Sequence, residues 1–201
     1  MKLIVIRHGE SEADILDVIE GRADFSLTNK GKKQANLMAK YISSYQINKI
    51  YASPLKRAKE TAEILSKEVK VKIEFLDDLM EFNNGLIAGL KKEIADVLYP
   101  KDDNLPFDQA MYEMESQKDF RLRAERALNE IISNSNEQDI VAIISHGGLI
   151  NRLYQSFLKM PLKTHINFST GDTGIHIWCI NNNKRTVLVT NDLSHLKLFF
   201  E

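Results

Sequence analysis

Two widely separated segments of the chain follow one plan, an apolar strand that runs straight into His-Gly. Lys2-Leu3-Ile4-Val5-Ile6 leads into Arg7-His8-Gly9-Glu10, and Ile140-Val141-Ala142-Ile143-Ile144 leads into Ser145-His146-Gly147-Gly148. Short β-branched runs of this kind read as strands buried on both faces, the setting of a parallel sheet. In open α/β sheets, ligands bind beyond the carboxyl ends of the strands. Two histidines delivered to that edge, each followed by a glycine that lets a ligand approach the backbone, predict one composite site.

Between and around these segments, helical and strand signals alternate. Thr28 reads as an N-cap, opening a helix to about residue 45 with Ala35, Leu37, Met38 and Ile42 on its apolar stripe. A strand is predicted over Lys49–Ala52. Ser53 and Pro54 then read as a helix start, hydroxyl at the N-cap and proline at the first helical position, with another strand over residues 69–75. Residues 77–106 are the least regular part, with Gly85, Gly89, Pro100 and Pro106 around a short helix near 91–98; they form a candidate lid. A long amphipathic helix follows over Gln117–Ser133, on which Arg121, Arg123 and Arg126 read as a solvated face with local ion pairs. After the second His-Gly, residues 149–158 are helical, and 175–180 with 186–190 predict a terminal hairpin. The pattern predicts a single domain over residues 1–201 of the α/β class, a three-layer α/β/α sandwich with a mostly parallel central sheet.

Charge narrows the function classes. The chain has 27 basic and 28 acidic residues, a net charge of −1, which argues against nucleic-acid binding or attachment to a membrane surface. A strand begins almost at the first residue, leaving no room for a cleaved signal, and no apolar run is long enough to span a bilayer. A cytoplasmic protein is the expectation. Cys179 is the only cysteine, which excludes a disulfide within the chain and reads as a core thiol. The histidines show no metal-ligand spacing, so neither a metal nor a cofactor is expected.

Arg7 beside His8 points to the ligand. Arginine is permanently charged and offers a fork of donors suited to phosphate oxygens. Arg57 adds a second fork near a helix start, where free N–H groups and the positive dipole end also favour an anion. Cations, backbone amides and two imidazoles gathered at one sheet edge suit a phosphoryl group. A neutral imidazole can attack phosphorus directly, and the phosphohistidine splits one hard displacement into two easier ones.

Arg7-His8-Gly9-Glu10-Ser11 resembles the signature of the histidine phosphatase superfamily in its phosphoglycerate mutase-like branch. Four further segments match in the same order: Leu27-Thr28 with Gly31 and Gln34-Ala35; Ser53-Pro54-Leu55 with Arg57-Ala58 and Thr61-Ala62; Leu79-Met80-Glu81 with Gly85 and Gly89; and Ser145-His146-Gly147-Gly148. The resemblance implies His8 as the nucleophile, with Arg7, Arg57, His146 and Gly147 holding the phosphoryl oxygens. It implies Glu81 as the acid that protonates the leaving oxygen and later takes a proton from water. Glu74, Asp77 and Asp78 compete with Glu81 for that role by proximity in sequence. His165, His176 and His195 match no catalytic position, and 170–174 reads as a plain glycine turn.

Two positions depart from the family pattern. Asp14 stands where the family commonly has asparagine, and Glu20, before Gly21, where it has glutamine or threonine. An ionised carboxylate cannot donate a hydrogen bond to phosphate. Asp14 is therefore expected to orient Arg7 or Arg57; a second reading has Ser11, Asp14, Glu20 and Gly21 selecting a substrate with a cationic or hydroxyl-rich group beside its phosphate. The expected activity is metal-independent hydrolysis of a small-molecule phosphate ester, by a monomer or homodimer. Two alternatives stand beside it, a phosphoglycerate mutase and a regulatory protein that binds phosphohistidine or phosphopeptides without turnover.

Overall fold

The computed structural model describes residues 1–197. The chain runs β1 (Lys2–Arg7), α1 (Glu12–Leu16), α2 (Asn29–Ile42), β2 (Lys49–Ala52), α3 (Lys56–Val69), β3 (Ile73–Phe75), α4 (Lys92–Leu98), α5 (Gln117–Ser133), β4 (Ile140–Ser145), α6 (Gly147–Phe157), β5 (Ile175–Asn181), β6 (Lys184–Asp192) and α7 (Ser194–Lys197). Six strands form one sheet in the order β3-β2-β4-β1-β5-β6. β3, β2, β4 and β1 pair in parallel, while β5 is antiparallel to both β1 and β6.

Side-chain alternation along the central strands builds two cores. Leu3, Val5, Val141 and Ile143 point to one face, where they pack with α5 and α6 through Ala124, Leu128, Leu153 and Phe157. Ile4, Ile6, Ala142 and Ile144 point to the other, against α2 and α3 through Met38, Ile42, Ala58 and Leu65. A strand buried on both faces must be apolar at every position, which is why these two runs stood out in the sequence. The result is the predicted three-layer sandwich with a mostly parallel sheet.

Local differences from the sequence reading have physical causes. Thr28 caps α2 as expected, accepting from Gly31 N–H at 2.9 Å. Ser53 does not cap α3: its N–H bonds Ile144 O at 3.0 Å, its hydroxyl turns to His146, and the helix starts only at Lys56. Asp24 instead takes Lys56 N–H at 2.7 Å. The strand expected over 69–75 is confined to Ile73–Phe75, because α3 runs on to Val69 and closes with Lys70 in the left-handed region. The hairpin turns on Asn182 and Asn183, both at positive φ, the requirement of a two-residue turn matched to strand twist. Among the described residues no helix is long and apolar enough to cross a membrane.

Candidate active site

Register brings the two histidines together. β1 and β4 lie side by side with Arg7 opposite Ser145, so each strand delivers its histidine one residue later to the same edge. His8 N–H continues the ladder to Ser145 O at 3.0 Å. The rings lie 5.1 Å apart, centroid to centroid, and both residues are 1% exposed. The glycine after His8 is required by packing within the protein. A Cβ at Gly9 would stand 2.6 Å from Gly31 O, so the close approach is between this loop and α2.

The hydrogen bonds assign the His8 tautomer. Its Nδ1 lies 2.7 Å from Gly9 O, an acceptor only, so Nδ1 carries the proton. Nε2 keeps its lone pair and receives Arg57 Nε–H at 3.2 Å. Burial, then the Arg57 and Arg7 guanidiniums, hold His8 well below the ordinary imidazole range. A neutral ring with a free pair is the nucleophilic form.

His146 is set by a parallel device. Its Nε2 lies 2.8 Å from Ser53 Oγ, which also accepts Leu55 N–H at 3.3 Å. Its Nδ1, like Arg7 Nε, is buried with no protein partner. Burial, Arg57, His8, Arg7 and Arg123 all lower His146. Two buried polar atoms without protein partners close to His8 are groups a bound anion can satisfy.

Arg57 is wholly buried and held from behind, Nη1 on Ala23 O at 3.1 Å and Nη2 on Gly21 O at 2.8 Å. Glu20, not Asp14, orients it: Glu20 Oε2 lies 3.1 Å from Arg57 Nε and 3.9 Å from His8 Nε2. Asp14 pairs with neither arginine and instead accepts Ser11 N–H and Ser11 Oγ–H at 2.8 and 3.1 Å, as a helix cap to α1. The expectation that Asp14 orients Arg7 or Arg57 is therefore corrected. Ser11 Oγ also approaches Glu20 Oε1 at 2.5 Å. Burial pushes Glu20 up despite Arg57, and the Asp14 charge pushes the same way.

The 170–174 segment is more than a glycine turn. Arg7 Nη1 donates to Thr170 O at 2.9 Å, Arg7 Nη2 meets Asp172 Oδ1 at 3.3 Å, and Thr173 N–H donates to His8 O at 3.1 Å. It brackets Arg7 and His8 from across β5, a role its composition does not announce. His176 and His195 are buried packing histidines bonded to Thr170 and Thr173, and His165 is exposed.

Glu81 reaches the opposite side of the pocket. Its Oε1 accepts Phe82 N–H at 2.8 Å and its Oε2 accepts Gly148 N–H at 2.9 Å, in the first turn of α6 beside His146. A Cβ at Gly148 would lie 2.5 Å from Glu81 Oε1, so this glycine is what admits the carboxylate. Gly147, which opens α6, lies against Arg7, where a Cβ would make ordinary contact at 3.8 Å. Of the competing acids, Glu74 and Asp77 are exposed, and Asp78 pairs with Arg126.

Arg121 and Arg123 overturn the solvated-face reading of α5. They are 2% and 6% exposed, whereas Arg126 does lie on the surface. Arg123 binds the carbonyls of Asp78, Met80 and Glu81 together with the Glu115 carboxylate. The Glu115-Ser116 pair before the helix, with Arg123 two turns on, was the available signal. Among the described residues no group of three or more His, Cys, Asp or Glu is placed to hold a metal ion.

The model of the histidine phosphatase superfamily, branch 1, matches residues 3–193. Phosphoserine phosphatase 1 of Hydrogenobacter thermophilus is 27% identical over 204 residues, covering 100% of this chain and 96% of the relative. Phosphoglycerate mutase-like protein 4 of Arabidopsis thaliana is 29% identical, covering 98% and 87%. The phosphoserine phosphatase of Entamoeba histolytica, solved with phosphoserine, superposes with a TM-score of 0.79 at 29% identity, covering 97% and 98%.

Proposed function

Because the chain belongs to branch 1 of the histidine phosphatase superfamily, we propose that it hydrolyses small phosphate monoesters through a phosphohistidine at His8. The observation that carries this reading is the His8 tautomer, with Nδ1–H tied to Gly9 O and Nε2 unprotonated, accepting Arg57 Nε–H, in a buried, arginine-lined site. In the first step His8 Nε2 bonds to phosphorus as the phosphorus–oxygen ester bond breaks, and Glu81 gives its proton to the departing oxygen. Arg7, Arg57, His146 Nδ1–H and the Gly147 end of α6 stabilise the equatorial oxygens. In the second step Glu81 takes a proton from water as its oxygen displaces His8 from phosphorus, which restores the enzyme and releases phosphate.

Residues 77–106 serve as the cover over the leaving group. This segment carries Glu81 and, with Ile19, Phe82, Met111 and Tyr112, walls a largely apolar cavity of about 420 Å³. Ile19 and Phe82 are the immediate neighbours of Glu20 and Glu81, which supports reading the cavity as the place of the substrate's organic part. Ser11, Glu20 and Gly21 lie outside that lining, grouped around Arg57 and His8, and Glu20 there favours esters with an amino or hydroxyl donor near the phosphate. Two relatives named as phosphoserine phosphatases fit that preference, phosphoserine carrying an ammonium group beside its phosphate.

The test is phosphate release from a panel of small esters with chelator present, wild type against His8→Ala. Turnover that resists chelator and disappears in His8→Ala supports the proposal. Interconversion of phosphoglycerates without net phosphate release would mark a mutase, and tight phosphate-ligand binding unaffected by His8→Ala, with no turnover, would mark a binding protein.

A further inference from the structure

The backbone that carries Glu81 lies in no strand or α-helix and follows a single 3₁₀ turn (Asp77–Leu79), yet four consecutive carbonyls in it are engaged by side chains. Arg123 Nη1 donates to Asp78 O at 2.9 Å and Met80 O at 2.7 Å, and Arg123 Nη2 donates to Glu81 O at 3.1 Å. Ser145 Oγ, one residue before His146, takes the intervening Leu79 O at 2.8 Å. The two remaining interactions of Arg123 go to Glu115, Nε to Oε2 at 3.1 Å and Nη2 to Oε1 at 2.6 Å. A guanidinium has five N–H donors, and here they meet five acceptors. Glu115 in turn accepts Asn83 N–H at 2.7 Å, two residues beyond Glu81, and Arg22 Nε adds a second donor to Glu81 O at 3.3 Å.

Aromatic packing stiffens the same unit. Arg123 lies 5.0 Å from the Phe120 ring centroid, and Phe120 packs edge-on against Phe82, the residue after Glu81, at 5.2 Å. The Glu81 backbone is thus fixed from α5 on one side and from the end of β4 on the other. Only the carboxylate is left to reach the pocket.

We infer that Arg123, braced by Glu115, is a positioning residue for catalysis, holding Glu81 at the reach needed to protonate the leaving oxygen. This rests on the assignment of Glu81 as the acid. Arg123 itself touches no reacting atom. These cross-links add to the few backbone bonds that hold the segment, and a displacement of about 1 Å at a catalytic group can cost about 100-fold in rate. Lysine at this position keeps the charge but not the fork, so it cannot hold three carbonyls and a carboxylate together.

The experiment uses kcat/KM, which reports steps up to leaving-group departure, for an alkyl phosphate (glycerol phosphate) and an aryl phosphate (nitrophenyl phosphate). Only the alkyl leaving group strongly needs a proton. Arg123→Lys is expected to lower the alkyl value about 10- to 100-fold and the aryl value much less, shifting their ratio. In a Glu81→Gln background, where the acid is already gone, the same Arg123→Lys change is expected to cost no more than about twofold further. Equal losses on both esters, or the same loss in both backgrounds, would overturn the inference. If Arg123→Lys does not fold, Glu115→Gln is read through the same ratio, which must move in the same direction or the inference fails. If Glu81→Gln leaves the ratio unmoved, the acid assignment falls and this positioning role falls with it. A ratio that moves in Glu81→Gln and not in Arg123→Lys removes the positioning role alone.

Discussion

The two sides of this site are held by different kinds of structure. On the nucleophile side, Arg7, His8 and His146 ride on the ends of β1 and β4, central parallel strands whose residues 3–6 and 141–144 are completely buried. Their positions follow from a ladder of backbone bonds shared across the sheet, and no single side chain sets them. On the side of the proposed acid, Glu81 follows a single 3₁₀ turn after β3, where Arg123, Arg22, Ser145 and Glu115 hold the chain through side chains. The first side tolerates loss of any one distant hydrogen bond, whereas the second depends on a few long side chains. An exposed salt bridge would be a poor anchor for such a loop, but charge-assisted bonds to buried carbonyls leave unpaired groups behind when removed.

The largest expected effect breaks the nucleophile side outright. His8→Ala should lower kcat by about 10⁴-fold or more, as loss of a nucleophile does elsewhere, with the fold retained by circular dichroism. Arg57→Ala should cost about 10²- to 10³-fold if, as proposed, its guanidinium stabilises the phosphoryl oxygens.

Acid sensitivity follows from the histidines packed beneath Arg7. His176 is buried and lowered to about 4, its Nδ1 accepting Asn191 N–H and its Nε2 meeting Thr170 Oγ1, on the residue whose carbonyl holds Arg7. Between that value and the ordinary value near 6.5 the unfolded chain binds the extra proton and the native protein does not. Stability is therefore full above about pH 6.5 and falls as pH drops toward 4, with His8, His146 and His195 shifted in the same direction. Unfolding by denaturant at pH 7 and pH 4.5 should differ by ~2–3 kcal/mol from His176 alone, and the difference should shrink in His176→Gln.

Glu20→Gln sharpens the comparison at the point where the two sides meet. Glu20 places a carboxylate 3.9 Å from His8 Nε2, the proposed attacking atom, and burial raises it, so that it takes up a proton as pH falls. Inorganic phosphate should inhibit the wild type more strongly at lower pH. The glutamine variant should bind phosphate about tenfold more tightly at neutral pH, with a flatter pH dependence. The smallest effect belongs to Arg126, one turn from Arg123 on the same helix. Arg126→Ala removes only an exposed pair with Asp78 and should change stability by less than about 0.5 kcal/mol and leave kcat/KM unaltered.

Legibility in the sequence follows the same division. β4 and α5 match their predicted spans because continuous apolar runs and a helical stripe are local signals. His8, Arg57 and His146 could be grouped because strand ends in a parallel sheet share one edge. Arg123 and Arg126 were indistinguishable by composition: what separates them is a row of loop carbonyls more than 40 residues earlier in the chain, as shown by separations of 42 to 45 residues. Ser53 read as a helix cap because its use by His146 is 93 residues away in sequence. Asp14 was given the task that Glu20 performs, since a sequence does not reveal which of two nearby carboxylates faces an arginine.

The most direct test of the account is to mix the enzyme with a phosphate ester, quench in denaturant under alkaline conditions, and identify the phosphorylated atom by ³¹P NMR and peptide mapping. With Nδ1 of His8 committed to Gly9 O, the account predicts phosphate on His8, bonded at Nε2. Phosphate at Nδ1 or on His146, or full turnover in His8→Ala, would contradict it.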